Sequence, residues 1–281
     1  MRTDPYVIKG YSAEQVRAAE APHLAAGEPL MQRAAAGLAD EIRHTLDSVA
    51  AGRPGRVLLL VGTGNNGADA LYAGAELAAE GVGVGVVAAG SRMHAEALAA
   101  AIAAGASRED RFDLADTGEV EDTGRIDSAG IDAGRIDAGG IDAGRIASLA
   151  ADVDVIVDGI LGTGTSANPA LRGIARELVA AILPVLAGPG RPRVIAVDIP
   201  SGINPDDGTV PDQHVLPADT TVTFGAFKAG LLLEPASRLA GRIRLVDIGL
   251  VPDLATVEPI VRLDGRTTSA HRVDWRHARS S

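Results

Sequence analysis

Short apolar runs alternate with longer Ala-rich stretches through most of this chain. Val57–Val61 and Val194–Val197 contain no polar residue, and Val153–Val157 contains only Asp154. Runs of this length without polar alternation predict strands buried on both faces. Val82–Val87 reads as a further strand weakened by its glycines, and Thr220–Phe224 and Ile243–Val246 as later ones. Between them, Asp69–Glu80, Met93–Ala104 and Leu171–Leu186 read as helices. Gly81 closes the first as a C-terminal cap, and Pro184 frays the last. Ahead of the first strand, Tyr11–His44 reads as one helix, with Ser12 and Gln15 forming a capping box. Arg53-Pro54-Gly55 then breaks the chain. The alternation predicts an α/β fold with a mostly parallel, doubly wound sheet.

Two stretches fall outside this plan. Between Gly124 and Ile146 the units IDSAG, IDAGR, IDAGG and IDAGR repeat with a period of five, which fits neither strand nor helix. This predicts a low-complexity, disordered insertion covering about 107–147. Its regular Ile residues leave open a short ordered coil or a partner site. The residues after Thr256 read as a polar, loosely packed tail. The chain is therefore expected to be a single domain over 1–255 with that interruption, followed by a tail over 256–281.

Composition narrows the possibilities. The chain has 281 residues, no Cys and a formal net charge of -11. Without Cys there is no disulfide framework, thiol nucleophile or Cys-ligated zinc. An acidic chain in which aromatics make up 2% is poorly suited to nucleic acid, which needs cations and stacking faces. No signal-peptide pattern opens the chain and no apolar run is long enough for a membrane span. The six His show no metal-ligand spacing. These features predict a cytoplasmic protein that binds neither nucleic acid nor membrane.

The candidate chemistry lies where strands end. Gly62-Thr63-Gly64-Asn65-Asn66-Gly67 matches G-x-G-x-x-G between a strand and a helix, a context suited to phosphate. The second strand ends in Ala88-Ala89-Gly90-Ser91-Arg92, without the acid that would hold a ribose, which argues against ordinary NAD-dependent hydride transfer. Asn65 and Asn66 could face a ligand or supply turn and cap conformations. Asp158 and Asp198 each end an apolar run, at the edge where open α/β sheets bind ligands. Each could act as a base, bind a cation or cap a turn. Lys228 is one of two Lys in an Arg-preferring chain, and its choices are phosphate contact, proton donor or solvated surface.

Taken in order, VLLLVGTGNNGADAL, DVIVDGILGTGTS, VIAVDIPSGI and TVTFGAFKAGLLL, followed by GRIRLVDIGL, resemble the NAD(P)H-hydrate epimerase family. Ser12-Ala-Glu-Gln15 and Leu30-Met31-Gln-Arg-Ala34 are similar to that family's first helices. The resemblance implies a Rossmann-like three-layer sandwich, a homodimer, and an isomerase. Such an enzyme interconverts the R and S forms of NADHX and NADPHX, hydrated at C6 of the nicotinamide ring. It implies a functional partner, an ATP- or ADP-dependent dehydratase, which is expected to be separate because no such domain follows Ser281. It also implies one potassium ion per subunit, held by Asn66, Asp158 and Ser201. Substrate would be lined by Asn65, Asn66, Gly67, Ala68 and Asp69, and by a second loop of Gly162, Thr163, Gly164, Thr165, Ser166, Ala167 and Asn168. Asp198 would contact substrate and move protons, with Lys228 in support. Ala68 stands where the family has Gly, and Phe227 where it commonly has Pro. The alternative on the same fold is a non-catalytic nucleotide sensor or a scaffold for a protein partner.

Overall fold

The computed structural model describes residues 7–50, 52–109, 141–165, 168–264 and 273–274. In chain order the strands are β1 (Val7–Tyr11), β2 (Arg56–Val61), β3 (Gly83–Ala88), β4 (Ser107–Arg108), β5 (Val155–Gly159), β6 (Arg193–Val197), β7 (Thr220–Phe224), β8 (Phe227–Lys228), β9 (Arg242–Val246), β10 (Val261–Asp264) and β11 (Val273–Asp274). The helices are α1 (Ala13–Ala25), α2 (Leu30–Val49), α3 (Asn65–Ala79), α4 (Ala95–Ala103), α5 (Ala143–Ala151), α6 (Gly173–Leu186) and the single turns α7 (Ala229–Leu232) and α8 (Val251–Leu254).

Eight strands form one sheet in the order β11-β9-β7-β6-β5-β2-β3-β4, every pair parallel. The apolar runs supply side chains to both faces in turn. On β2, Val57, Leu59 and Val61 enter one core with α2, α3 and α4, while Leu58 and Leu60 enter a second core with α5 and α6. β5 and β6 divide their residues the same way. This is the expected three-layer α/β sandwich. From β2 the chain builds outward through β3 and β4, then returns to β5 on the opposite side. The order therefore reverses between β2 and β5, and a crevice opens there at the strands' carboxyl ends.

Several expectations require correction. The single helix over Tyr11–His44 is two helices, separated by Gly27, which has φ of 75°, and by Pro29. A left-handed residue followed by proline stops a helix whatever the propensity of its flanks. The insertion is narrower than 107–147. Ser107 and Arg108 pair with β3. The last repeat unit opens α5: the Asp142 carboxylate accepts the Arg145 N–H at 3.0 Å, and Ile146 is buried. The cap and the Ile146-to-Ala150 spacing override the five-residue period. The remainder of the repeat lies outside the described residues.

Parts of the expected tail, and residues ahead of the first helix, also form strands. β10 pairs antiparallel with β1, Val7 facing Asp264 and Gly10 facing Val261. β1 in turn pairs with β8, making a small three-stranded sheet. β11 extends the main sheet beside β9. Val261 and Leu263 are more buried than Arg262 and Asp264, a weak alternation that becomes a strand only when a distant edge is available. The capping box is present: Ser12 Oγ accepts from Gln15 N at 3.1 Å, and Gln15 Oε1 accepts from Ser12 N at 2.9 Å.

Candidate active site

Three loops meet at the switch point. The Gly62 N–H donates to the Gly159 carbonyl at 3.0 Å. A Cβ on Gly62 would stand 1.8 Å from the Ile160 carbonyl oxygen, so only glycine lets the ends of β2 and β5 approach this closely. α3 begins directly after the turn. From its first turn the Asn66 amide reaches back, Nδ2 donating to the carbonyls of Leu161 at 3.2 Å and Val197 at 2.5 Å. One side chain thus ties the β2 loop to those after β5 and β6.

Behind this junction Asp158 is 1% exposed. It accepts from Ser201 Oγ at 2.6 Å, from Ser201 N at 2.8 Å and from Ile160 N at 3.3 Å. Ser201 Oγ accepts the Leu161 N–H at 2.8 Å. Burial pushes the Asp158 carboxyl upward, and the bonds from Ser201 and Ile160 pull against it. No basic side chain pairs with Asp158 among the described residues. Asn66 Nδ2 and Ser201 Oγ both reach the Leu161 carbonyl, and Ser201 in turn bonds to Asp158.

Asp198 follows β6 with φ of 65°, the only non-glycine with positive φ among the described residues. Such a backbone costs on the order of 1–3 kcal/mol and must be held by its surroundings. Its N–H donates to the Val222 carbonyl at 2.7 Å. Its Oδ1 accepts from Thr223 Oγ1 at 3.0 Å, from Phe224 N at 3.3 Å and from the Lys228 ammonium. Lys228 also donates to the Phe224 carbonyl at 2.9 Å. Both members of this ion pair are buried, at 6% and 2% exposure. All of these bonds fall on Oδ1, and Oδ2 accepts none from the described residues.

A cavity of about 710 Å³ opens in front of these groups. Its sheet side is formed by Thr63–Asn66, Ile160–Gly164, Asp198, Phe224 and Lys228. Asp69 joins them from α3. Its carboxyl is pushed well above the usual carboxylate range, first by burial and then by the charges of Asp198 and Glu20, with Lys228 opposing. The other side comes from α1 and α2: Arg17, Glu20, Leu24, Leu30 and Met31. Burial raises the Glu20 carboxyl too, with Lys228 as the main opposing influence. Arg17 donates to the Thr163 carbonyl at 3.2 Å, joining α1 to the second loop. Sequence reasoning missed this wall. The available signal was Arg17 and Glu20, three apart, beside the buried stripe of Val16 and Ala19.

The expected substrate residues divide into groups. Asn65, Asn66, Asp69, Gly162, Thr163 and Gly164 line the cavity. Gly67 and Ala68 do not. Gly67 lies against Gly62, and Ala68 is a fully buried helical residue of the core with negative φ, so its methyl group is accommodated. Asn168 is exposed and closes a turn by accepting the Ala170 N–H at 3.2 Å, rather than facing the cavity. Thr165 ends a one-turn 3-10 helix, Thr163–Thr165, while Ser166 and Ala167 lie outside the described residues. Phe227 is buried in the small core beneath β1 and leaves Lys228 in reach of Asp198. Among the described residues no group of three His, Cys, Asp or Glu is arranged to hold a metal ion.

The chain is similar to known proteins over most of its length. A family described as YjeF-related protein N-terminus matches residues 27–230. The NAD(P)H-hydrate epimerase of Clavibacter michiganensis subsp. michiganensis is 48% identical, over 92% of this chain and 98% of that protein. The bifunctional NAD(P)H-hydrate repair enzyme Nnr of Mycobacterium tuberculosis is 36% identical over 87% of this chain, which corresponds to 42% of that protein. The crystal structure of yeast ynu0, YNL200c, shares the fold with a TM-score of 0.57 at 16% identity, covering 79% of this chain and 83% of that one. With a family match over most of the chain and relatives of this identity and coverage, this chain belongs to the YjeF-related N-terminal family, that of the NAD(P)H-hydrate epimerases.

Proposed function

We propose that the cavity binds NADHX and NADPHX and interconverts their R and S forms by acid–base chemistry without a redox step. The observation that carries this reading is the buried Asp198–Lys228 pair, with one carboxylate oxygen anchored and the other unclaimed, on the cavity wall. Lys228, Thr223 and the Phe224 N–H hold Asp198 in one orientation, which preorganises the free oxygen toward substrate. The cavity size lies within the ordinary range for small-molecule and cofactor sites. The N-terminus of the fifteen-residue α3 supplies N–H groups for the substrate's phosphates, offsetting the acidic net charge. At C6 the substrate carries a hydroxyl beside the ring nitrogen. Donation from that nitrogen breaks the C6–O bond, the hydroxyl leaves with its electron pair to give a planar centre, and Asp198 takes the proton of the water that adds to the other face.

A potassium ion suits the donor set behind the cavity. Asp158 is a buried acid with no basic partner among the described residues, surrounded by hydroxyl and amide groups. Oxygen-rich donors fit a hard cation. Asn66, Asp158 and Ser201 would hold one ion per subunit, and it would offset the charge of Asp158 and stiffen the loop junction. Homodimerisation is supported by Leu24 and Val251, 59% and 60% exposed, on the contacting elements α1 and α8. The bifunctional name of the mycobacterial relative supports a dehydratase as the functional partner, acting on the S product. No helix among the described residues is long and apolar enough to cross a membrane, and a cytoplasmic location belongs to the same proposal.

The test is epimerisation of purified R-NADHX by the full chain, followed by chiral chromatography, in potassium and in potassium-free buffer. Conversion to S well beyond the spontaneous rate is expected, faster with potassium. Asp198→Asn is expected to remove the acceleration and leave the fold unchanged by circular dichroism. Near-normal turnover by that variant would reject Asp198 as the proton-transfer group.

A further inference from the structure

Asp69 is a buried cavity group that the mechanism above leaves without a task. It sits in the second turn of α3, 6% exposed, and makes no hydrogen bond or ion pair with the described residues. The charged groups facing it are Asp198 from the end of β6, Glu20 from α1 and Lys228 from β8. Lys228 is already engaged by Asp198. Two carboxyl groups on one wall thus compete for a single ammonium, and Asp198 takes it. Burial and the two acidic neighbours leave Asp69 favouring its proton. An acid and a base set apart by environment within one pocket is the arrangement that acid–base catalysis at neutral pH needs.

We propose that Asp69 is the general acid of the epimerisation and Asp198 the matching base, the two exchanging roles with the direction of turnover. The proposal rests on the epimerase reading. Protonated Asp69 gives its proton to the C6 hydroxyl oxygen. The C6–O bond breaks, and its electron pair leaves with the oxygen as water. The ring-nitrogen lone pair becomes the second bond of an N1=C6 iminium. A second water adds its oxygen to the other face of C6, the iminium pair returns to nitrogen, and Asp198 takes the water's proton. One water leaves and one enters, and a single proton has moved from Asp69 to Asp198. That product state, Asp198 protonated and Asp69 ionised, is the one competent for the reverse epimerisation. Exchange of both groups with solvent resets the enzyme.

The experiment is the pH profile of R-to-S conversion by the wild-type chain and by Asp69→Asn, with R-NADHX as the probe. In the wild type the rate falls on the alkaline side, as Asp69 loses its proton. In Asp69→Asn, kcat drops by about 100-fold or more, the yield expected of a general acid, while KM stays within about threefold. The alkaline fall then disappears from the residual rate. A variant with wild-type kcat overturns the proposal, as does a reduced kcat that keeps the wild-type alkaline limb. If the variant does not fold, the wild-type profile decides, because a rate that stays level through the alkaline range overturns the proposal by itself. A wild-type chain that fails to accelerate epimerisation overturns the epimerase reading and this proposal with it. An active wild type with an equally active variant removes only the role of Asp69.

Discussion

At the scale of single residues the site depends on who pairs with whom. Lys228 stood out as one of two Lys in the chain, and Asp198 as an acid at a strand end. Nothing in the spacing of thirty residues tells that the two form a buried ion pair, because the contact is made by β7 and β8 folding back on β6. The positive φ of Asp198 is equally silent in sequence, since a non-glycine there is set by its surroundings. The pairing gives a prediction. Lys228→Met leaves the Asp198 carboxylate buried without its counter-charge, which destabilises the fold by about 3–5 kcal/mol. The double variant Lys228→Met/Asp198→Asn regains most of that loss but has no turnover. Chemical denaturation measures both, and a Lys228→Met protein as stable as the wild type would show that the pair carries no such weight.

At the scale of elements, the loops at the strand ends were legible and the helical wall opposite was not. A Gly-rich turn or an Asp ending an apolar run is a local signal. The seating of α1 is not, because it depends on contacts with the far end of the chain. Ala13 N donates to Asp206 Oδ1 at 2.6 Å, and the Gln15 side chain donates to the Glu258 carbonyl at 2.8 Å. At the other end of α1, His23 bridges Glu28 at 2.8 Å and Asp253 of α8 at 2.9 Å, while Arg33 shares Glu28 at 2.9 Å. The bond to Asp253, then that to Glu28, raises the His23 pKa. A raised folded-state value means that the stabilisation is complete below the unfolded value of about 6.5, and is lost as pH rises through the folded value. The melting temperature of the wild type should therefore exceed that of His23→Gln most at about pH 6, with the gap closing toward about pH 9. A gap that is constant across that range would show that His23 contributes by packing and not by charge.

At the scale of the whole molecule, the sheet order decides where chemistry happens. Because β2 is followed outward by β3 and β4 and then flanked by β5, the loops after β2, β5 and β6 are neighbours, and Asn66 can bond to two of them. The same scale explains the misread tail and the strand ahead of α1. β1 and β10 are weak strands that stabilise one another across more than 250 residues, so neither shows in a local window. The proposed homodimer also belongs to this scale. Light scattering at working concentration should give twice the chain mass of 28.6 kDa, and Val251→Asp should lower it. A monomer mass for the wild type at every concentration would remove the dimer from the reading.

Hydrophobic periodicity and turn residues determined the layered α/β plan, the positions of the central strands, the Ser12 cap and the Gly-rich loop, because each depends on interactions within a few residues. The strand ends and the Gly-rich turn pointed to Asn66, Asp158, Asp198 and Lys228, and the resemblance added Ser201. Only the tertiary structure decided that Asp198 takes Lys228 and that Asp69 is left buried without it. Only the fold showed that α1 and α2 close the cavity, that Ala68 belongs to the core, and that Val7–Tyr11 and Val261–Asp264 are paired strands. Each of these is a contact between residues distant in sequence. Its free energy exists only once the sheet has brought the partners together and removed the water between them.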